Sequence, residues 1–239
     1  SLPARYILVR QLRKALSGLH LQGDARLVNY FRWNDRDDLR SLYTASFRDA
    51  IGSSLAEDPM LNFLAGLPRN THSLEKMLAL EQRFFLADHN LVYTDKMSMA
   101  VGVEVRVPFL DSDLVEFAAH IPAHLKQKGR HGKWVLKKAM EPYLPMEVIY
   151  RPKTGFGAPL RRWLQFELRD WLADTLSVDR LQRRGLFDPH SVQHLIAANA
   201  AGRIDASYTL FSLACIEIWC KFFVDGFSNS YTQSQATHT

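Results

Sequence analysis

Two short stretches place charged side chains where simple packing does not explain them. The first runs Tyr93-Thr94-Asp95-Lys96-Met97-Ser98-Met99-Ala100-Val101-Gly102-Val103-Glu104-Val105-Arg106-Val107-Pro108-Phe109-Leu110-Asp111. Its apolar residues should draw the backbone inward, and buried charge is costly unless paired or put to use. Asp95, Glu104, Arg106 and Asp111 therefore form either a salt-bridge network around Arg106 or a set of groups kept for chemistry. The second stretch, Arg151-Pro152-Lys153-Thr154-Gly155-Phe156-Gly157-Ala158-Pro159, sets two cations before two glycines. Glycines let backbone approach a ligand closely, and cations beside such a loop suit phosphate or pyrophosphate. A plain basic loop is the alternative reading.

Other candidates are weaker. His120 and His124 are four apart, but Pro122 between them spoils a shared helical face. His190 and His194 share a face without a third ligand, so no zinc site is expected. Trp163 and Trp171 recur with leucines at helical spacing, which suits a core better than a base-stacking platform.

The elements that must position these residues are mostly helices. Leu74, Met77, Leu78 and Phe85 recur at helical spacing behind Ser73 as N-cap, which predicts a core-packing helix. Leu114 to Ala118 predicts another, capped by Asp111 or Ser112 and stopped by Pro122, and a third begins near Gly132 and carries Val135, Leu136 and Ala139 before Pro142. Beyond Pro159, Leu160, Trp163, Leu164, Leu168, Trp171 and Leu172 fall on one stripe. Asp188-Pro189 opens a further helix, and Ser207 to Phe223 is the longest. Strand signals are thin: Val101, Val103, Val105 and Val107 alternate briefly, so that segment is extended. Residues 62–71 and 129–132 are expected as loops, and the polar tail 228–239 as disordered.

With 239 residues and 47% apolar side chains the chain can bury a large core, so disorder throughout is excluded. Residues 1–227 are expected as a single, mostly helical region. No apolar run reaches the ~20 residues a bilayer span needs, and the start shows no signal-peptide pattern. Cys215 and Cys220 fall on different faces of one helix and make no disulfide framework, which suits a reducing cytoplasm. A net charge of +5 favours anionic partners, but the Lys and Arg clusters alternate with acidic residues and form no unbroken stripe, so neither nucleic acid nor membrane is the expected partner.

Taken together, the two stretches resemble the carboxyl-terminal synthetase domain of the asparagine synthetase family. The family pattern Asp-Arg-x-Ser-Met then Glu-x-Arg-x-Pro-Phe-Leu-Asp appears as Asp95-Lys96-Met97-Ser98-Met99 and Glu104 to Asp111. Downstream, Gly-Lys-x-x-Leu-Lys, Leu-Pro, Arg-x-Lys-x-Gly-Phe-x-x-Pro and Trp appear in order as Gly132 to Lys137, Leu144-Pro145, Arg151 to Pro159, and Trp163. The resemblance is strong from about Ser73 to Trp163; upstream, Arg26 to Trp33 is similar only to a helical segment of the family. Lys96 stands where Arg is common and offers a point charge instead of a planar fork. The family's Ser-Gly-Gly-x-Asp-Ser phosphate loop is not in this sequence, whose twelve glycines include no Gly-Gly pair, and its glutaminase domain is not present either.

The resemblance implies a mainly α fold: the helical C-terminal part of an α/β ATP-pyrophosphatase (adenine nucleotide α-hydrolase-like) synthetase domain. It implies ATP and Mg²⁺ as cofactors, a small-molecule acceptor (aspartate first), ammonia from a glutaminase domain, and a homodimer. Lys153 is expected to meet pyrophosphate charge, with Arg151 beside it as a second nucleotide contact or loop organiser. Glu104 is expected as the base of the amide-forming step, with a plain ion pair to Arg106 as the alternative; the two are compatible where Arg106 orients the carboxylate without quenching it. Asp95 and Arg106 are expected to line the acceptor pocket, or to pair with buried charge. Asp111 either holds Mg²⁺ or caps the following helix, and helix logic favours the cap. Without the phosphate loop, the chain alone is expected to be inactive.

Overall fold

A computed structural model describes residues 16, 18–32, 34–152 and 157–225 of the chain. The tail 228–239 lies outside the described residues, as does Lys153. Helix dominates, and the mainly α expectation holds. The Val101–Val107 run is extended without a strand partner among the described residues, and the paired strands there are the two-residue Gln127–Lys128 and His131–Gly132, antiparallel around Gly129. No helix among the described residues is long and apolar enough to cross a membrane.

The chain forms two compact units, Ser1–Arg32 with Leu55–Thr154, and Trp33–Ser54 with Gly155–Thr239. In the first unit, helices Gly23–Asn29, Asp58–Ala65 and Ser73–Leu80 bury Val28, Leu64 and Leu80 against Phe31, Met60, Leu61, Phe63, Leu67 and Phe84. Burying three such side chains contributes about 1.5–3 kcal/mol each before entropy is counted. Two boundaries differ from expectation. The helix at Asp58 runs through Ala65 before the loop begins, because Pro59 in its first turn and Phe63 and Leu64 on its apolar face outweigh Asn62. The next helix is capped by His72, whose ring nitrogen accepts from Leu74 N, not by Ser73, which lies inside it.

That helix then widens into a π-helical stretch, Glu81–Leu91, before the helix Val92–Met99. Phe85 and His89 stack with ring centroids 5.0 Å apart, and His89 meets Tyr93 edge-on at 5.3 Å. Phe85 is thus an exposed member of a ring ladder instead of a core residue, a correction to its expected role. Contact between residues four apart on this wider helix is what aligns the rings.

The second unit holds the larger core: Leu42, Leu160, Leu164, Leu172, Leu176, Leu181, Phe187, Val192, Ala206, Leu210, Leu213 and Ala214. The stripe after Pro159 is not continuous. It breaks at Phe166–Leu168 into the helices Leu160–Gln165 and Arg169–Thr175, so Leu160, Leu164 and Leu172 point inward while Trp163 and Trp171 keep more than a third of their surface in water. A large indole covers area at a rim without full burial. Pro189–Ala200 and Ser207–Phe223 match expectation, and on the latter Cys220 is buried while Cys215 is exposed.

Distant segments are joined by polar contacts. Thr44 N donates to Leu186 O and Asp188 N to Leu42 O, and Thr44 Oγ1 donates to Gly185 O at 2.7 Å. Arg184 lies between two carboxylates: Nε and Nη2 donate to Glu217 at 3.0 and 3.1 Å, and Nη1 and Nη2 to Asp225 at 2.7 Å each. Glu217 is buried mid-helix, so its charge depends on this fork.

Two stability measurements check this frame. Arg184→Met should lower unfolding free energy by about 2–3 kcal/mol in a denaturant titration, and Glu217→Leu added to it should recover much of the loss, because the cost is the carboxylate left unpaired. Asp188 caps its helix by accepting from Ser191, first from the backbone N–H and then the hydroxyl, which holds its carboxyl below the usual carboxylate range. A depressed folded pKa adds stability above the unfolded value and loses it as pH falls through the folded one. Asp188→Ala should therefore cost about 1 kcal/mol at pH 7, and the gap to wild type should close below about pH 4.

Candidate functional site

Asp95 is carried on the Val92–Met99 helix and is exposed. That helix ends where Gly102 adopts φ +71°, with Val103 N donating to Ser98 O and Gly102 N to Met99 O, both at 3.0 Å. This paired closure satisfies the last carbonyls and needs a residue tolerant of the left-handed region, which glycine supplies. The chain leaves the turn extended, so Glu104 and Arg106, two apart, fall on one side. Their side chains meet: Arg106 Nη2 lies 2.6 Å from Glu104 Oε1. A short 3₁₀ turn, Pro108–Leu110, then delivers Asp111, whose Oδ1 accepts from Asp113 N and Leu114 N at 3.1 Å each and caps the Ser112–His120 helix.

Burial is where the structure departs from the sequence expectation. The signature is not drawn into an interior: Arg106 and Glu104 side chains are 85% and 67% exposed, and Val101 and Phe109 are 76% and 65% exposed. Between Leu80 and Leu160 no described residue is buried. The buried residues of both core clusters lie outside this span, and of its apolar side chains only Phe84, at its start, packs against one of them among the described residues. The Arg106–Glu104 pair forms, but as a surface pair, which by itself adds at most about 1 kcal/mol.

Downstream, Lys133 adopts φ +56° ahead of the Trp134–Met140 helix, an uncommon conformation for a residue with a side chain. Lys128 lies over the Trp134 ring at 4.9 Å. Arg151 is exposed and follows Tyr150, the C-cap of the short Met146–Ile149 helix. The structure thus joins Glu104 to Arg106 and turns Asp111 into a cap, while Asp95 and Arg151 stand on separate elements.

Sequence reading missed an open cleft of about 400 Å³ in the first unit, lined by Asp24, Arg26, Tyr30, Thr71, Ser73 and Lys76. Lys76 Nζ is held by Asp24 Oδ1 at 2.7 Å. A Lys–Asp pair 52 positions apart carries no local spacing signal. Among the described residues no group of three or more His, Cys, Asp or Glu stands ready to hold a metal ion. Mg²⁺ usually takes one or two carboxylates together with substrate phosphates, and Asp111 Oδ2, free of the cap's two bonds, fits such a minor share.

The family model described as Asparagine synthase matches residues 1–221. Asparagine synthetase [glutamine-hydrolyzing] 1 of Bacillus subtilis is 32% identical over 146 residues, covering 61% of this chain and 23% of that protein. Asparagine synthetase [glutamine-hydrolyzing] 3 of the same organism is 32% identical over 124 residues, 52% of this chain and 19% of its own length. The nodule asparagine synthetase [glutamine-hydrolyzing] of Pisum sativum is 38% identical over 77 residues, 29% of this chain and 13% of its own length. The chain spans about a fifth of the length of the first curated relatives it matches. No solved structure matches.

Asp111→Ala should remove the cap and lower stability by about 1 kcal/mol in thermal or denaturant unfolding, whereas Asp111→Asn, which still offers an oxygen to both amides, should lose only a few tenths.

Proposed function

Because the chain belongs to the asparagine synthase family, a kinship that makes it an amide ligase or amidotransferase in kind, we propose that it forms part of an ATP-dependent ligase that adenylates the side-chain carboxylate of aspartate and passes ammonia to it. The observation that carries this reading is the signature Glu104 to Asp111, with Glu104 and Arg106 joined at 2.6 Å on an extended segment opened by Gly102 and closed by the Asp111 cap.

In the first step an acceptor carboxylate oxygen bonds to the α-phosphorus of ATP, the bond from that phosphorus to the bridging oxygen breaks, and pyrophosphate leaves with the electron pair. Lys153 and Arg151 are the cations for the charge gathering on that leaving group. Mg²⁺, when bound, neutralises phosphate charge, with Asp111 Oδ2 as the protein's share. In the second step ammonia attacks the acyl carbon, the nitrogen gives up a proton, and the acyl carbon–oxygen bond breaks to release AMP. Glu104 is the group that takes the proton, and Arg106 holds its carboxylate in one orientation. Asp95 and Arg106 are the residues this reading assigns to the acceptor pocket.

An exposed Glu104–Arg106 pair cannot exclude water, and adenylates hydrolyse in water. The reading therefore requires a phosphate-binding backbone, a source of ammonia and groups that shield the pair from water, in addition to the residues named here.

Aspartate-dependent ATP–pyrophosphate exchange in the complete enzyme tests the proposal. Lys153→Ala should lower exchange by about a hundred to a thousandfold. Glu104→Gln should leave exchange near wild type yet abolish asparagine formation, since it acts after adenylation. Exchange that ignores aspartate would move the acceptor to another carboxylate, such as a sugar acid; a fully active, folded Lys153→Ala enzyme would remove the mechanism.

A further inference from the structure

Arg151 is preceded by a residue held on three sides. The Tyr150 hydroxyl donates to Glu141 Oε1 at 2.5 Å, its ring lies under Lys137 Nζ at 5.4 Å, and its backbone N–H donates to Met146 O at 2.9 Å. Lys138 Nζ holds the same Glu141 oxygen at 2.7 Å. Lys137, Lys138 and Glu141 lie at the end of the Trp134–Met140 helix, and Tyr150 closes the short helix Met146–Ile149. On its other side Arg151 meets Pro152, whose ring confines the preceding residue to extended backbone. Arg151, which is exposed, thus leaves a backbone held on one side by the contacts of Tyr150 and on the other by Pro152.

We infer that Glu141, Tyr150 and Lys137 form a clamp that positions Arg151 against the phosphate charge of the nucleotide, making Glu141 and Tyr150 positioning residues of the ligase. The inference rests on the function proposed above. It also gives Lys137, the last residue of the Gly132 to Lys137 motif, a use that the reaction steps do not. Protonation supports the geometry: the Lys138 ammonium and then the Tyr150 hydroxyl hold the Glu141 carboxyl below the usual range, and the bond to Glu141 raises the phenol, so the donor and acceptor forms persist together through neutral pH. Contacts this exposed contribute little to folding, so variants keep the fold and their effect is read in function.

The test is pyrophosphate exchange by the complete enzyme with Tyr150→Phe, Glu141→Ala and Glu141→Gln, each alone and combined with Arg151→Ala. Losing an outer contact of this kind should cost about tenfold in exchange for Tyr150→Phe and for Glu141→Ala. The melting temperature should stay unchanged, and Glu141→Gln, whose amide oxygen still accepts the phenol, should recover most of the rate. In the Arg151→Ala background the same changes should cost nothing further. Equal losses with and without Arg151, or no loss from Tyr150→Phe with Arg151 present, would overturn the clamp. An inert Arg151→Ala would overturn it too, while the ligase reading would then be judged separately by Lys153→Ala and Glu104→Gln.

Discussion

Local backbone closure, and not burial, holds the signature in shape, and most of what the first unit offers chemically depends on that. The Gly102 closure ends one helix, the Asp111 cap starts the next, and the segment between them is extended with Glu104 and Arg106 on one side. Backbone donors that would otherwise be unsatisfied at helix ends fix these joints. Because each joint spans only a few residues, the arrangement does not require a core beneath it. The clamp around Tyr150 follows the same plan, with side chains of one helix end gripping the next short helix.

The second unit is built in the opposite way. Twelve buried residues from several helices pack together, and the 42–44 segment is zipped to 185–188 by backbone hydrogen bonds. Its buried charge is answered in full: Glu217 is matched by the Arg184 fork, which Asp225 also shares. No candidate for the reaction lies in this core. Its contribution is stability, while the first unit carries the signature among exposed apolar residues such as Val101, Val103 and Phe109.

Much of this was legible from local pattern. Helix starts at Asp111 and Asp188, the longest helix from Ser207, and the split faces of Cys215 and Cys220 follow from capping chemistry and the helical period. Where pattern failed, non-local or competing local contacts won. His72 took the cap expected of Ser73, the leucine and tryptophan stripe broke at Phe166–Leu168, and the helix through Phe85 widened into a π-helical turn. Hydropathy alone put the signature inside, yet burial needs a partner surface as well as apolar side chains.

By itself the sequence determined the family signature, the residue types available for chemistry, and the two-residue spacing that puts Glu104 and Arg106 on one side of an extended chain. Those are properties of short stretches, set by backbone period and side-chain type. Tertiary structure decided which charges pair across long separations, as with Lys76 and Asp24 or Arg184 and Glu217, and which apolar residues find a core. Pairings and burial of that kind arise from how distant helices pack, and no local spacing encodes them.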